Sequence, residues 1–183
     1  MFRGISCLAG NPENDSGFCI LSVDGDVKHV SLRVLHSNQE IMDNLKKVHP
    51  ELTAVDAPLI YNGRNRGCDA ELSRYGALPV TLRGMEVLAR RGSSLAEDLS
   101  REGFRLIEVY AIASAKILGF YDRDNQVVQK NLLSSGLSGD IEKRFLSRDE
   151  LDAVFSAITA FLHLKNSTEE VGDDEGRIII PKV

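Results

Sequence analysis

Four acidic residues stand where apolar segments end or begin. Asp56 closes the run Leu52-Thr-Ala-Val-Asp56 and is followed by Ala57-Pro58. Glu108 interrupts the otherwise apolar run Leu106-Ile-Glu-Val-Tyr110. Asp149 and Asp152 are three residues apart, so they share one face of a first helical turn. Acids placed at the ends of apolar elements can gather at one edge of a sheet. Their hard oxygen donors suit magnesium or manganese. Two such ions ~4 Å apart activate water and stabilise the leaving oxygen in phosphodiester cleavage. That chemistry would make the protein a metal-dependent nuclease.

Each acid also has a plainer reading. Asp56 could cap the next segment or pair with an arginine, although Ala57-Pro58 keeps the chain extended and aims the side chain at the strand's end. Glu108 on an edge strand would be an ordinary solvated residue. Asp149 and Asp152 would complement a helix dipole without doing chemistry. A second cluster, Arg64-Asn-Arg-Gly-Cys-Asp69, lies with Arg83 in an irregular stretch. Arginine forks hold phosphate or carboxylate, so Arg66 and Arg83 are candidate substrate contacts, with Asp69 holding one of them. Its plainer reading is a solvated loop with a surface ion pair. Cys68 has no histidine near it in sequence, and His29, His36, His49 and His163 lack ligand spacing. There is no P-loop and no dinucleotide fingerprint.

The elements that must position these residues follow from periodicity. Strands are predicted at Phe2 to Ala9, Phe18 to Val23 and Val27 to Leu35, the last two joined at Asp24-Gly25. Asn11 to Gly17 reads as a turn-rich loop. Asn38 is the expected N-cap of a helix carrying Ile41, Leu45 and Val48. Leu52 to Val55 is short and continuously apolar, as a central strand is. Residues 60–81 read as an irregular, insertion-like segment with a short helix at Ala70 to Arg74. A long helix is expected from Leu82 to Glu102, with Gly92 a point where it could break. A fifth strand spans Phe104 to Tyr110, and Ala111 to Leu118 forms a short helix. Tyr121 to Gly139 is polar and loop-like. Ser147 and Glu150 form a capping box for a last helix with Leu151, Val154, Phe155 and Ile158 on one stripe. The tail from Gly172 carries a strand-like Ile178-Ile-Ile180.

This order predicts one α/β domain over residues 1–183: a mixed five-stranded sheet flanked by helices. Its strands are a three-stranded antiparallel meander plus two parallel strands, the order of the ribonuclease H-like fold. The composition is compatible, since 43% apolar residues in 183 supply a core. A net charge of −5 argues against broad nucleic-acid binding but allows a local basic patch. Cys7, Cys19 and Cys68 are odd in number and scattered, which predicts a reducing, cytoplasmic setting. No segment reads as a signal peptide, and no apolar run approaches the ~20 residues of a membrane span. The sequence carries no signal for an oligomeric state.

Taken together, Val55-Asp-Ala-Pro58, Arg66-Gly-Cys-Asp69, Ile107-Glu-Val-Tyr110, Asp149-Glu-Leu-Asp-Ala153 and the ending Val171 to Pro181 resemble successive motifs of domain of unknown function family 429. Members are predicted nucleases of ribonuclease H-like fold. The resemblance implies metal-binding roles for Asp56, Glu108 and Asp152, with Asp149 assisting, and places Arg66 and Asp69 at motif positions. Two departures stand out. Ser6 or Cys7 occupies the place of the family's first-strand aspartate, and Ala111 stands where the family usually has proline. The first departure keeps a second expectation open, a binding or regulatory module with the fold but not the chemistry. Asp15 could replace the missing acid only if its loop folded back. A small-molecule phosphotransferase is a third reading, for which the chain is short.

Overall fold

The computed structural model describes residues 2–7, as a strand, and residues 15–182. Strand β1 (Phe2–Cys7) pairs antiparallel with β2 (Ser16–Asp24), and β2 with β3 (Val27–Leu35). The β2–β3 turn is Gly25-Asp26, one residue later than predicted. Asp24 pairs with Val27, and Gly25 takes φ +58°, which glycine adopts without strain. Helix α1 (Asn38–Val48) starts at Ser37 rather than Asn38, because the Ser37 hydroxyl accepts the Glu40 amide.

The parallel half follows. Strand β4 (Leu52–Val55) runs parallel to β1, and β5 (Leu106–Val109) runs parallel to β4. Between them lie α2 (Gly67–Glu71), a 3-10 turn at Leu72–Tyr75, and α3 (Met85–Arg101). Gly92 does not break α3. It brings the helix onto the chain after β4, where an added Cβ would lie 2.8 Å from the Ala57 Cβ and the Pro58 carbonyl. Helix α4 (Ala111–Ile117) follows β5 directly.

The sheet is larger than the five strands expected. Its order is β6-β3-β2-β1-β4-β5-β8-β7. The stretch read as a polar loop holds helix α5 (Asn125–Ser134) and strand β6 (Leu137–Gly139), which pairs parallel with β3. Only Val128, Gln129 and Leu132 of α5 are buried, too few to mark a helix in the sequence. After α6 (Arg148–Leu164), the tail forms a hairpin of β7 (Thr168–Asp173) and β8 (Gly176–Pro181), with β8 parallel to β5. Strand β7 reads Thr-Glu-Glu-Val-Gly-Asp, and its acids suit an exposed sheet edge.

Helices cover both faces. Leu151, Val154, Phe155 and Ala157 of α6 pack on Cys19, Leu21, Val30 and Leu32. Farther along, Ala160 meets Leu52, Ala54 and Val109. On the other face Ile41 and Leu45 of α1, with Leu95 and Leu99 of α3, pack on Phe18 and Val55. Alternate residues of β4 thus face opposite layers, as strand geometry requires. Among the described residues, no helix is long and apolar enough to cross a membrane.

Candidate active site at the carboxyl edge of the sheet

β1, β4 and β5 run parallel, and Asp56 follows the last residue of β4. Ligands of open α/β sheets bind outside such carboxyl ends. Asp56 is half-buried, and its Oδ1 accepts the Ala111 amide at 3.1 Å. Ala111 therefore supplies a donor that a proline at this position would lack.

Helix α6 brings Asp152 to the same place. Its first turn lies directly on β2. A Cβ on Gly17 would fall 2.1 Å from the Asp149 carbonyl oxygen, so only glycine permits this approach. The capping box forms as predicted. The Ser147 hydroxyl accepts the Glu150 amide, and the Glu150 carboxylate accepts the Ser147 amide at 3.0 Å. Asp152 is 7% exposed. Burial pushes its carboxyl up to about 7, with Arg148 pulling it down and Asp149 pushing it up. Burial also raises Asp56 well above the ordinary carboxylate range, and the charges of Asp152, Glu108 and Asp149 add to this, against the Ala111 amide. Asp149 is raised by burial, Asp15 and Glu150.

Glu108 lines one cleft with Asp56 and Asp152 but is engaged by an arginine. It pairs in register with Val55, which faces α3, whereas the next residue of β5, Val109, faces α6. Its carboxylate takes a two-pronged bond from Arg66, Nη1 to Oε2 at 2.9 Å and Nη2 to Oε1 at 2.7 Å, and accepts the Leu59 amide at 2.9 Å. The other edge of the guanidinium binds Asp69, Nε to Oδ2 at 2.9 Å and Nη2 to Oδ1 at 2.8 Å. All three are buried, with Arg66 3% exposed. Burial works against the Arg66 charge, but Asp69 and Glu108 more than reverse it, so the guanidinium is held protonated. Burial pushes the Glu108 carboxyl up while Arg66 and the Leu59 amide pull it down.

The expected site residues Asp56, Arg66, Asp69, Glu108 and Asp152 line this one cleft, but their bonding divides them. Asp56 and Asp152 come together with Asp149 nearby, but Glu108 is committed to an Arg66–Asp69 clamp. Arg66, expected to hold substrate, lines the cleft with its guanidinium engaged by Asp69 and Glu108, and Arg83 is exposed before α3, outside the residues lining the cleft. Asp15 binds His36, raising its pKa chiefly through that hydrogen bond, and its charge also reaches Asp149. The register position of Ser6 lies opposite Ala54 and Cys19; Leu8 to Asn14, including most of the predicted loop, fall outside the described residues.

Arg148 is a cation whose charge acts on Asp152, and Lys116 lies near Gly76 at the margin of the cleft that both aspartates line. Both cations lie over the Tyr121 ring, the Arg148 Cζ 5.8 Å and the Lys116 Nζ 4.8 Å from its centroid. Arg148 also donates to the Asp122 carbonyl at 2.9 Å, and Lys116 to the Tyr75 carbonyl at 2.7 Å. Arg148 precedes Asp152 by four residues on one helix, a spacing that could have identified it. Lys116 and Tyr121 carry no such local signal.

Among the described residues, no three His, Cys, Asp or Glu side chains gather closely enough to hold a metal by themselves. The donor set still fits magnesium or manganese. These hard cations take one or two carboxylates and complete their shell with water and substrate phosphate. Asp56 and Asp152 are two carboxylates whose mutual repulsion a dication would relieve.

An antiparallel meander leading into parallel, helix-linked strands, with a long helix laying acids over their carboxyl ends, defines the ribonuclease H-like fold. The chain is similar to the structure of RuvC from Thermus thermophilus, with a TM-score of 0.51 over 90% of this chain and 96% of that one. Sequence identity is 14%, so the likeness is one of fold. No family model matches the chain, and no curated protein sequence matches it.

Proposed function

We propose that the protein is a nuclease-like hydrolase of nucleic-acid phosphodiesters that depends on magnesium or manganese, in keeping with its resemblance to family 429. The observation that carries this reading is the meeting of Asp56 and Asp152 at the carboxyl edge. Their setting is a fold shared with RuvC. Asp56 and Asp152 would hold the ion, with Asp149 at the rim. Such an ion would supply water activation and charge stabilisation at the leaving oxygen. Lys116 and Arg148 hold the substrate's phosphates beside the aspartates. The Ala111 amide orients Asp56, and Asp152 must lose its proton before it can ligate or accept one. Cleavage of labelled single-stranded, duplex and hybrid substrates with manganese tests the reading. Activity is expected in wild type and should be lost in Asp56→Asn and Asp152→Asn. An inactive wild type, or unchanged variants, would overturn it.

A second reading, a binding module without chemistry, draws on the commitment of Glu108 to Arg66 and on Ser6 or Cys7 in place of the first-strand acid. It predicts no stoichiometric manganese binding in calorimetry. Binding lost on Asp152→Asn would exclude it.

A further inference from the structure

Asp56 and Asp152 open onto a cleft of about 290 Å³. Pro58, Leu78, Val80, Met85, Leu88 and Ile112 give it apolar walls, and the Arg66–Asp69–Glu108 clamp and Tyr110 also line it. Leu78 stands 52% exposed at the mouth, and Val80 is 1% exposed inside. A site that handled only the sugar-phosphate backbone would have no use for such walls. The volume lies near the low end of the ~300–1,000 Å³ typical of small-ligand pockets, which suits one ring system and not a duplex. Two cations stand at its margin: Lys116, whose Nζ lies close to Gly76 of the lining, and Arg148, whose charge acts on Asp152. The cleft therefore offers apolar walls beside the two aspartates, with cations at its margin.

A nucleotide has matching parts, an apolar planar base and an anionic phosphate. In a duplex the base faces are stacked and out of reach, so a base can enter only when unpaired or extruded. With a net charge of −5 the chain lacks the general attraction to phosphate that would supply affinity without base contacts. We infer that the cleft lined by Leu78, Val80, Met85, Leu88 and Ile112 captures one unpaired base of a single strand and so restricts the site to unpaired nucleic acid. The inference deepens the hydrolase reading and rests on it for the identity of the ligand.

The test uses the full chain carrying Asp152→Asn, so that binding is measured without cleavage. The probe is a short oligonucleotide with one 2-aminopurine, single-stranded or paired to its complement. The single strand should bind at least roughly tenfold more tightly, with 2-aminopurine emission changing at one position. Ile112→Trp, which fills the cleft, should remove that preference. Leu78→Asp, on an exposed loop where folding is not at stake, should weaken single-strand binding roughly tenfold. Equal binding of duplex and single strand, or indifference to both substitutions, would overturn the inference. So would a nucleoside monophosphate that bound as tightly as the oligonucleotide. Base capture with no cleavage by wild type would sink the hydrolase reading and leave the inference standing. Equal cleavage of duplex and single strand, unaffected by Ile112→Trp, would do the reverse.

Discussion

Glu108 and Asp152 are both buried carboxylates, 4% and 7% exposed, yet they differ in what faces them. Glu108 meets a guanidinium on two prongs and remains compensated. Removing one member of such a pair leaves a buried charge alone, at about 3–5 kcal/mol. Glu108→Gln or Arg66→Met should each lower stability by that order in chemical denaturation. If Glu108 instead ligated the metal, Glu108→Gln would chiefly weaken manganese binding. Asp152 has only Arg148 to oppose its burial, and it holds its proton to about 7. In the metal-free protein the folded chain therefore carries a proton that the unfolded chain has already lost between the ordinary carboxylate value and about 7. Stability should fall as pH rises through that window and level off above it, by on the order of 1.4 kcal/mol per pH unit at most. Asp152→Asn should flatten this slope relative to wild type in denaturation with chelator present. Cleavage should rise over the same interval, because the ionised form is the useful one.

Elements position these groups through close approaches that only glycine allows. Gly17 of β2 lies against the Asp149 carbonyl, so Gly17→Ala must push the first turn of α6 off the sheet and carry Asp152 with it. Gly92→Ala would press α3 against Ala57 and Pro58, immediately beyond Asp56. Overpacking of this kind costs about 1–3 kcal/mol. Both variants should lose activity out of proportion to their loss of melting temperature, because each displaces an aspartate. Ser147→Ala should cost about 1 kcal/mol as a lost cap, with a smaller effect on turnover. The same elements show what could be read from the sequence. The meander, β4, α6 and its capping box were legible because alternation and stripe were continuous. The segment Tyr121 to Gly139 was not. Helix α5 buries only three residues, and one is Gln129, whose side chain bonds the Ile141 and Arg144 carbonyls and the Leu146 amide. The acids were legible as residue types, and the pairing of Asp56 with Asp152 followed from their elements. The commitment of Glu108 did not, because it depends on which face of β5 meets Arg66, forty-two residues away.

Across the whole molecule, charge is distributed against nonspecific binding. The net charge is −5, and acids crowd the β7–β8 hairpin at Glu169, Glu170, Asp173, Asp174 and Glu175. Long-range attraction to a polyanion is therefore weak, and contacts must be made at short range. Such contacts fall to cations held near the site, among them Lys116 and Arg148 on Tyr121, since Arg66 is engaged by Asp69 and Glu108. Each phosphate neutralised on a single strand contributes about −0.7 to the slope of log affinity against log salt. Two such contacts give a slope of about −1.4, shallow beside the far steeper values of proteins that hold many phosphates. Titrating a single strand against the Asp152→Asn protein over a range of salt should return that slope. Lys116→Ala should reduce it by about 0.7. Removing an exposed cation away from the site, as in Arg101→Ala, should leave it unchanged. A steep slope, or equal reductions from Lys116→Ala and Arg101→Ala, would mean that the surface as a whole binds nucleic acid and that the pair on Tyr121 has no special part in it.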